Sequence, residues 1–210
     1  MKKTLKSLYE KTIMRVIKKI RYISLKNRDF SIISNNCWGG HVYRYFNMPY
    51  TSPTIGLYFF ADENIKFVTN FEYYINCDLT FIPISASKYF DKYKDKDAYY
   101  PIGKLDDIEV VFLHYKSEEE AYQKWNRRKK RINYNNLIFK FNDMNLAKKE
   151  DVLKFDALPY KNKICFVANE VPGTKSTVVF KMYNGLESIE NDVTMYRKYL
   201  NPIKWLNSMV

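Results

Sequence analysis

The sequence has few of the residues that build metal centres, disulfide frameworks or flexible linkers. Its three cysteines, Cys37, Cys77 and Cys165, lie far apart without a C-x-x-C pair, which excludes a disulfide framework and predicts free thiols. With only two histidines, His41 and His114, we expect no zinc or other metal site. Six glycines and seven prolines beside 17% aromatic residues exclude a disordered chain. The composition therefore indicates a folded protein with a full hydrophobic core.

Several sequence signals of localisation and nucleotide binding are also absent. No apolar run approaches the roughly 18 residues that a membrane-spanning helix needs. The N-terminus has neither the apolar core nor the cleavage site of a signal peptide, so we expect a cytoplasmic protein. Neither a Walker A loop nor a G-x-G-x-x-G fingerprint occurs, which excludes the common nucleotide-binding motifs.

Positive charge is abundant but unevenly distributed. The formal net charge is +12, and residues 1–28 alone contribute +9, because they contain ten lysines or arginines against the single Glu10. The rest of the chain carries only +3. A nearly balanced body lacks the basic stripe that polynucleotides need, and no nucleic-acid-binding motif occurs. We therefore expect no nucleic-acid partner.

The basic segment, residues 1–28, is predicted to form an N-terminal amphipathic helix. Its apolar residues recur at spacings of three and four, with lysines and arginines between them. The apolar set comprises Leu5, Leu8, Tyr9, Ile13, Val16, Ile17 and Ile20. Such a helix suits an anionic membrane surface, which residues 1–26 would contact at the inner face of the membrane. The alternative is a helix docked on the core with its lysines in water.

Residues 29–210 are predicted to form a single α/β domain. Short apolar segments alternate with helical patterns, and several of these segments are apolar throughout, which is typical of strands covered on both faces. This alternation predicts a three-layer α/β/α sandwich with a largely parallel or mixed sheet. Strands are predicted at 30–34, 55–60, 79–84, 108–114, 137–141, 163–168 and 177–182, and helices at 40–46, 62–75, 117–130, 148–153 and 188–200.

The helix predicted at 117–130 has the clearest end signals. Ser117 and Glu120 have the spacing of a capping box, and two further glutamates lie in the first turn. Residues 127–131 are all basic, so both ends complement the helix macrodipole.

The most informative stretch joins the strand predicted at 30–34 to the helix predicted at 40–46. Cys37 lies in the turn between them, where the positive end of the helix would lower the pKa of the thiol. Glycine allows positive φ and close approach, so the amides of Trp38, Gly39 and Gly40 would point at an oxyanion or a phosphate, with His41 beside them. The alternative is a buried, inert cysteine and a plain turn.

Polar residues follow other predicted strands at the edge where α/β proteins bind ligands. His114 is the last residue of the strand predicted at 108–114, and Asp143 follows the strand predicted at 137–141. Together with Cys37 they would supply a nucleophile, a general base and an orienting carboxylate. The alternatives are an imidazole that caps a strand and an Asn-Asp pair that forms an ordinary turn.

A further set of residues is predicted to bind substrate or phosphate. Arg128 and Arg131 would clamp a diphosphate with their guanidinium groups, and the alternative is a solvated helix end. The loop 48–54 would cover the Cys37 turn and provide hydroxyl groups, or would be a connection held by its prolines. The set comprises Asn35, Asn36, Ser52, Tyr115, Arg128, Arg131 and Asn133.

Four motifs in the sequence resemble an uncharacterised bacterial family whose members are often labelled exopolysaccharide or capsular polysaccharide biosynthesis proteins. The resemblance covers most of residues 29–168. It implies a role linked to polysaccharide genes, but it assigns no catalytic residues. The motifs are Ser34-Asn35-Asn36-Cys37-Trp38-Gly39-Gly40, Tyr50-x-Ser52-Pro53-Thr54, His114-Tyr115-x-Ser117-x-Glu119-Glu120-Ala121-x-x-Lys124-Trp125-x-x-Arg128-x-x-Arg131-Ile132-Asn133, and Phe155-x-x-Leu158-Pro159-Tyr160-x-Asn162-Lys163.

Three functions are compatible with these observations. The first is an enzyme of exopolysaccharide or capsule biosynthesis that transfers an acyl or similar group to a sugar through Cys37. The second is a glycosyltransferase-like protein that binds a nucleotide sugar without a covalent intermediate. The third is a non-catalytic, membrane-peripheral assembly protein. The expected partners are thus a sugar with an acyl or sugar-nucleotide donor, and no cofactor is assigned.

Overall fold

The computed structural model describes residues 2–93 and 99–209. Met1, residues 94–98 and Val210, which belong to the predicted segments 1–28 and 29–210, lie outside the described residues. The described chain has a mixed α/β fold with a four-stranded parallel sheet and a three-stranded antiparallel sheet. The predicted fold class is thereby confirmed.

The regular elements follow one another along the chain as helices and short strands. The strands are β1 (Ser31–Ser34), β2 (Leu79–Ile82), β3 (Ile102–Leu105), β4 (Ile108–Val111), β5 (Leu137–Asn142), β6 (Lys163–Val167) and β7 (Thr177–Val179). The helices are α1 (Lys2–Ile23), α2 (Trp38–Phe46), α3 (Ala61–Thr69), α4 (Phe71–Asn76), α5 (Glu118–Lys129), α6 (Lys149–Ala157), α7 (Asp192–Met195) and α8 (Pro202–Asn207). The parallel sheet has the order β1-β5-β6-β7, and the antiparallel sheet has the order β2-β3-β4.

The parallel sheet separates two apolar clusters because successive side chains of a strand point to opposite faces. Ile32 and its register partner Ile138 belong to the cluster that includes residues of α2 and α8. Ile33 and its partner Phe139 belong to the cluster that includes residues of α3, α4, α5 and α6. The sheet is thus the middle of three layers, and most residues of β1, β5 and β6 are buried, whereas those of the edge strand β7 are half-buried.

Several predicted elements differ from the structure: β3 was not predicted, and the strand predicted at 177–182 ends at Val179. The segment 55–60 is not a strand: it forms one antiparallel bridge, Tyr58 to Val111, because Gly56 adopts a left-handed φ of 74° that interrupts extended backbone. The helix predicted at 62–75 is divided at Asn70 into α3 and α4. The helix predicted at 188–200 is reduced to the four residues of α7 and a 3₁₀ turn at Tyr196–Lys198.

The N-terminal helix α1 covers most of the predicted segment 1–28 and contacts α2. The guanidinium carbon of Arg21 lies 3.9 Å from the centre of the Tyr45 ring of α2. Within the described ranges, no helix combines the length and the apolar character that crossing a bilayer requires.

Candidate functional site

A cavity of about 410 Å³ opens where β1 ends and α2 begins. It brings together residues from the turn before α2 and from α2 itself, from the loop before α3, from the segment between β4 and α5, and from the second half of α5. Its lining comprises Cys37, Gly40, His41, Arg44, Tyr50, Ile55, Gly56, His114, Tyr115, Lys124 and Arg128. The thiol of Cys37 and the imidazole of His114 therefore line one cavity, as does the second imidazole, that of His41.

The backbone of residues 55–57 contacts both Cys37 and His114 and so connects two sides of the cavity. The Sγ of Cys37 lies 3.8 Å from the carbonyl oxygen of Leu57. The backbone N–H of His114 donates to the carbonyl of Gly56 at 3.0 Å. His114 follows β4, which belongs to the antiparallel sheet, so the prediction that it lies at the end of a strand of the parallel sheet is wrong. His114 reaches the cavity because the segment that contains residues 55–57 bridges the two sheets.

Gly56 is required at this position for two reasons. Its φ of 74° is one that residues with a Cβ rarely adopt. A Cβ there would also lie 3.3 Å from Cε2 of Tyr115 and 3.4 Å from Cβ of His114. The glycine thus lets the backbone pass directly against two of the lining side chains.

The lining of the cavity is positively charged. It contains the cations Arg44, Lys124 and Arg128 together with two histidines, and among the described residues no carboxylate belongs to it. Lys124 is paired with Glu120, one helical turn away on α5. The cavity therefore suits an anionic ligand, for which unpaired guanidinium N–H groups are strong donors.

Arg128 is the most buried of these cations, with 7% of its surface exposed. Its Nη1 donates to the hydroxyl oxygen of Tyr115 at 2.6 Å and to the carbonyl of Ile55 at 3.4 Å. Its guanidinium carbon lies 5.0 Å from the centre of the Tyr50 ring. In the part of the chain that the structure describes, Arg128 forms no ion pair. Neutral groups thus orient its charge without neutralising it.

The predicted lowering of the Cys37 pKa is wrong. The thiol is partly buried, and this burial, together with the negative charge of Asp192, raises the pKa of Cys37 to about 11. Lys140 and Arg44 act in the opposite direction but do not compensate. Cys37 is therefore a protonated thiol near neutral pH and needs a base to become a nucleophile.

His41, which lines the same cavity, is a candidate for such a base. It lies one helical turn after Cys37, and its backbone N–H donates to the Cys37 carbonyl at 3.3 Å. Burial lowers the pKa of its imidazole, with further lowering by the charges of Arg44 and His114. The imidazole is therefore neutral near pH 7 and able to accept a proton.

A buried polar network precedes Cys37 at the carboxyl ends of β1 and β5. It comprises Asn35, Asn36, Lys140, Asn142 and Asp192, each less than a tenth exposed. Lys140 Nζ donates to Asn35 Oδ1 at 3.0 Å, to Asn36 Oδ1 at 2.9 Å and to the Asp192 carboxylate. Asp192 also accepts from Asn36 Nδ2 at 2.8 Å and from Asn142 Nδ2 at 2.7 Å. Asn35 Nδ2 completes the network by donating to Asn142 Oδ1 at 2.7 Å.

The buried polar network uses all three protons of the Lys140 ammonium group. Burial lowers the pKa of Lys140, whereas the charge of Asp192 opposes that effect. Asn35 and Asn36, predicted to bind substrate or phosphate, instead have their amides engaged within the protein. The network therefore holds the turn that carries Cys37.

Sequence reasoning missed Lys140 and Asp192. A signal for Lys140 is present, because a single lysine between Phe139 and Phe141 in an apolar strand must be buried with a partner. No local pattern indicates Asp192, which lies 52 residues away in the C-terminal segment.

The glycines after Cys37 have a packing role and do not adopt the positive φ considered above. Gly39 and Gly40 are buried in the first turn of α2, and neither has a positive φ. A Cβ on Gly39 would lie 3.2 Å from Ile32 Cγ2, so the glycine permits close packing of α2 on β1. The backbone N–H of Trp38, which was predicted to point at an oxyanion or a phosphate, instead donates to Asn36 Oδ1 at 3.1 Å.

Trp38 belongs to the hydrophobic core. Its fully buried indole meets the rings of Phe166, Tyr196 and Trp205 edge to face, with centres 5.4, 5.5 and 5.8 Å away. It contributes packing area at the base of the site.

Asp143 does not occupy the position of an orienting carboxylate. Its Oδ2 accepts from the N–H of Ala168 at 2.6 Å and its Oδ1 accepts from the N–H of Ile189 at 2.9 Å. Burial raises the pKa of this carboxyl group, and it is not part of the cavity lining. Asp143 thus joins the end of β6 to the C-terminal segment, and its predicted catalytic role is without support.

Three further predicted residues lie outside the cavity lining. The Ser52 hydroxyl is buried and pairs with Thr54 Oγ1 at 2.9 Å, in the loop that covers the edge of β1. Arg131 is exposed, and its Nη1 donates to the Tyr50 carbonyl at 3.4 Å. Asn133 lines a different cavity, of about 650 Å³, near the start of β5. Tyr115, by contrast, lines the cavity and donates its hydroxyl proton to the Ile55 carbonyl.

The described ranges contain no group of three or more His, Cys, Asp or Glu side chains placed to hold a metal ion. The three cysteines are free thiols, of which Cys165 is buried and Cys37 and Cys77 are partly exposed.

Comparison with known proteins places the chain in a family. A domain of unknown function, DUF1919, matches residues 8–207. A protein of Haemophilus influenzae, named only as uncharacterized, is 30% identical over 191 residues, which are 87% of this chain and 86% of that protein. The family match includes the C-terminal segment with Asp192 as well as the turn with Cys37. The chain therefore belongs to the DUF1919 family.

Proposed function

We propose that the protein is a transferase that moves an acyl group from a phosphate-bearing donor to a sugar hydroxyl through a thioester on Cys37. One observation carries the proposal: a thiol, two imidazoles and three cations line a single cavity, and no carboxylate lines it within the described ranges. The sugar acceptor and a role in exopolysaccharide or capsule biosynthesis rest on the sequence resemblance alone.

The cations supply the binding energy for the donor. Phosphate oxygens accept charge-assisted hydrogen bonds, and arginine offers two parallel donors to one phosphate. Arg128 is held in place by neutral partners, and Arg44 is exposed at the rim. Binding at these groups would position the acyl carbon of the donor near Cys37.

The transfer has two balanced steps. In the first, Cys37 Sγ forms a bond to the acyl carbon, the bond to the phosphate-bearing group breaks, and the thiol proton passes through an imidazole to the leaving group. In the second, the sugar hydroxyl attacks the thioester, its proton passes to the imidazole, and Cys37 leaves and is reprotonated. His41 fits the role of base because its imidazole is neutral near pH 7.

Acetyl phosphate and acetyl-CoA are suitable probes for the first step. After an acid quench, intact mass and peptide mapping should show one acetyl group on Cys37. The variant Cys77→Ser, which changes a partly exposed cysteine outside the cavity lining, should retain the adduct, and Cys37→Ser should lose it. An adduct that persists in Cys37→Ser, or no adduct with either donor, contradicts the proposal.

The two histidines can be separated in the same assay. We expect His41→Gln to slow adduct formation by roughly a hundredfold, the usual contribution of a general base. His114→Gln should have the smaller effect, because this side chain is exposed. The reverse order would assign the base to His114, as the sequence predicts.

A nucleotide-sugar binder without a covalent intermediate is the second candidate. The same three cations favour it, because they suit a diphosphate as well as an acyl phosphate. In that case a nucleotide diphosphate sugar should raise the melting temperature equally in the wild type and in Cys37→Ser, and Arg128→Ala should abolish the shift. A protein that responds to neither class of donor would be the non-catalytic assembly protein.

A further inference from the structure

We infer that α1 binds an anionic membrane surface through an exposed apolar stripe. The stripe consists of Ile13, Val16, Ile20 and Ile23, with 38%, 54%, 59% and 59% of their surfaces exposed. Spacings of three, four and three residues place these four side chains on one side of the helix. Large aliphatic side chains at this spacing are normally buried, so their joint exposure indicates a binding surface.

The opposite side of α1 already has its partner within the protein. Ile17 and Arg21 are half-buried, and Arg21 lies over the ring of Tyr45 on α2. Leu25, just after the helix, is 1% exposed in the core. The helix is therefore anchored along one side, and the stripe faces away from the rest of the chain. Docking on the core therefore accounts for the half-buried residues of α1 but not for the exposed apolar stripe.

Charge selects a membrane as the occupant of the stripe. Arg15 and Lys19 are exposed and lie beside it on the helix surface. The segment 1–28 carries a net charge of +9. An anionic bilayer attracts nearby basic residues and accepts the apolar side chains below its headgroups. A second copy of the chain would instead bring two such segments together and repel.

The test uses the full chain and vesicles made of phosphatidylcholine alone or with about a third of phosphatidylglycerol. We expect co-sedimentation with the anionic vesicles only, with binding that weakens as salt increases. The double variant Ile20→Glu with Ile23→Glu should lower the affinity by roughly tenfold or more, because it places carboxylates in the stripe. Equal binding to both kinds of vesicle, or none to either, overturns the inference.

A matched control separates membrane binding from a general loss of structure. Leu186→Glu also changes an exposed aliphatic side chain, at 46% exposure, but lies outside α1, so it should bind vesicles like the wild type. Circular dichroism and the melting temperature should be the same in all variants, since the changed residues are exposed. If the double variant Ile20→Glu with Ile23→Glu still binds the anionic vesicles, the inference is overturned. It is also overturned if light scattering shows that the wild type is a dimer and that the double variant is a monomer.

Discussion

Replacing Asp192 by asparagine should strongly destabilise the protein. The side chain keeps its size, so packing is preserved, but the negative charge beside Lys140 is removed. Both charged groups are buried, with 0% and 1% of their side chains exposed. The variant thus leaves an ammonium group inside the protein without its counterion.

The expected cost follows from the burial of the pair. Removing one partner of a buried ion pair typically costs about 3–5 kcal/mol. The asparagine also replaces an acceptor oxygen by an N–H₂ group, which faces the donors of Asn36 or of Lys140 and Asn142. A domain has a total stability of only about 5–15 kcal/mol, so the loss is a large part of it.

Urea denaturation followed by circular dichroism measures this loss. With an m-value of about 2–3 kcal/mol/M for a chain of this size, the midpoint should fall by about 1–2.5 M. The control is Lys66→Met, which breaks the Lys66–Asp107 pair, also a direct contact at 2.8 Å but with side chains 48% and 52% exposed. Exposed pairs contribute about 0–1 kcal/mol, so its midpoint should hardly move.

The pH dependence provides a second readout of Asp192→Asn. Burial lowers the pKa of Lys140, and removal of the carboxylate lowers it further. Between that lowered pKa and the ordinary pKa of 10.5 the unfolded chain binds more protons, so the stability of the variant should rise with pH across this window. Equal midpoints for Asp192→Asn and Lys66→Met, or a deficit that does not change with pH, would refute the reasoning.

Three further predictions concern the site and the core. Since the Cys37 pKa is about 11, alkylation of this thiol by iodoacetamide should be slow near pH 7 and rise about tenfold per pH unit towards that value; a rate that is flat with pH contradicts this. Gly103→Ala should cost about 1–3 kcal/mol, because its Cβ would lie 2.6 Å from Phe112 Cε2, and Gly39→Ala should cost less, with its nearest contact at 3.2 Å; equal losses in urea denaturation argue against this order. His41 has a lowered pKa in the folded state, so the wild type should lose stability as the pH falls below 6.5 and through that lowered pKa, a loss that His41→Gln should not share in parallel melts.

Elements with strong local signals were predictable. The capping residue Ser117 accepts a hydrogen bond from the Glu120 N–H at 3.1 Å, and α5 ends at Lys129 within its basic run. The strands of the parallel sheet were predictable as well, because apolar segments such as 137–141 have no other stable location than between two layers. Helix caps and apolar runs involve only a few neighbouring residues, so they can be recognised from the sequence alone.

Elements that depend on distant contacts were not predictable. The segment 55–60 is apolar, yet it serves as a bridge between β1 and β4 and not as a strand. The segment 188–200 is drawn into the core by the side chain of Asp192 and by the N–H of Ile189, which binds Asp143. Their conformations follow from hydrogen bonds to residues about 46 to 53 positions away, which a periodic pattern does not encode.

The candidate site was likewise predictable only in part from the sequence. Residue types and local order establish a cysteine in a turn before a helix, a basic N-terminal helix and a nearly neutral body, because these are properties of short stretches and of composition. Only the folded chain determines that His41, His114 and Arg128 share a cavity with Cys37, and that Asp192 pairs with Lys140. Burial also reverses the pKa that the helix dipole alone predicts for Cys37, since desolvation depends on every neighbour in space and not on sequence position.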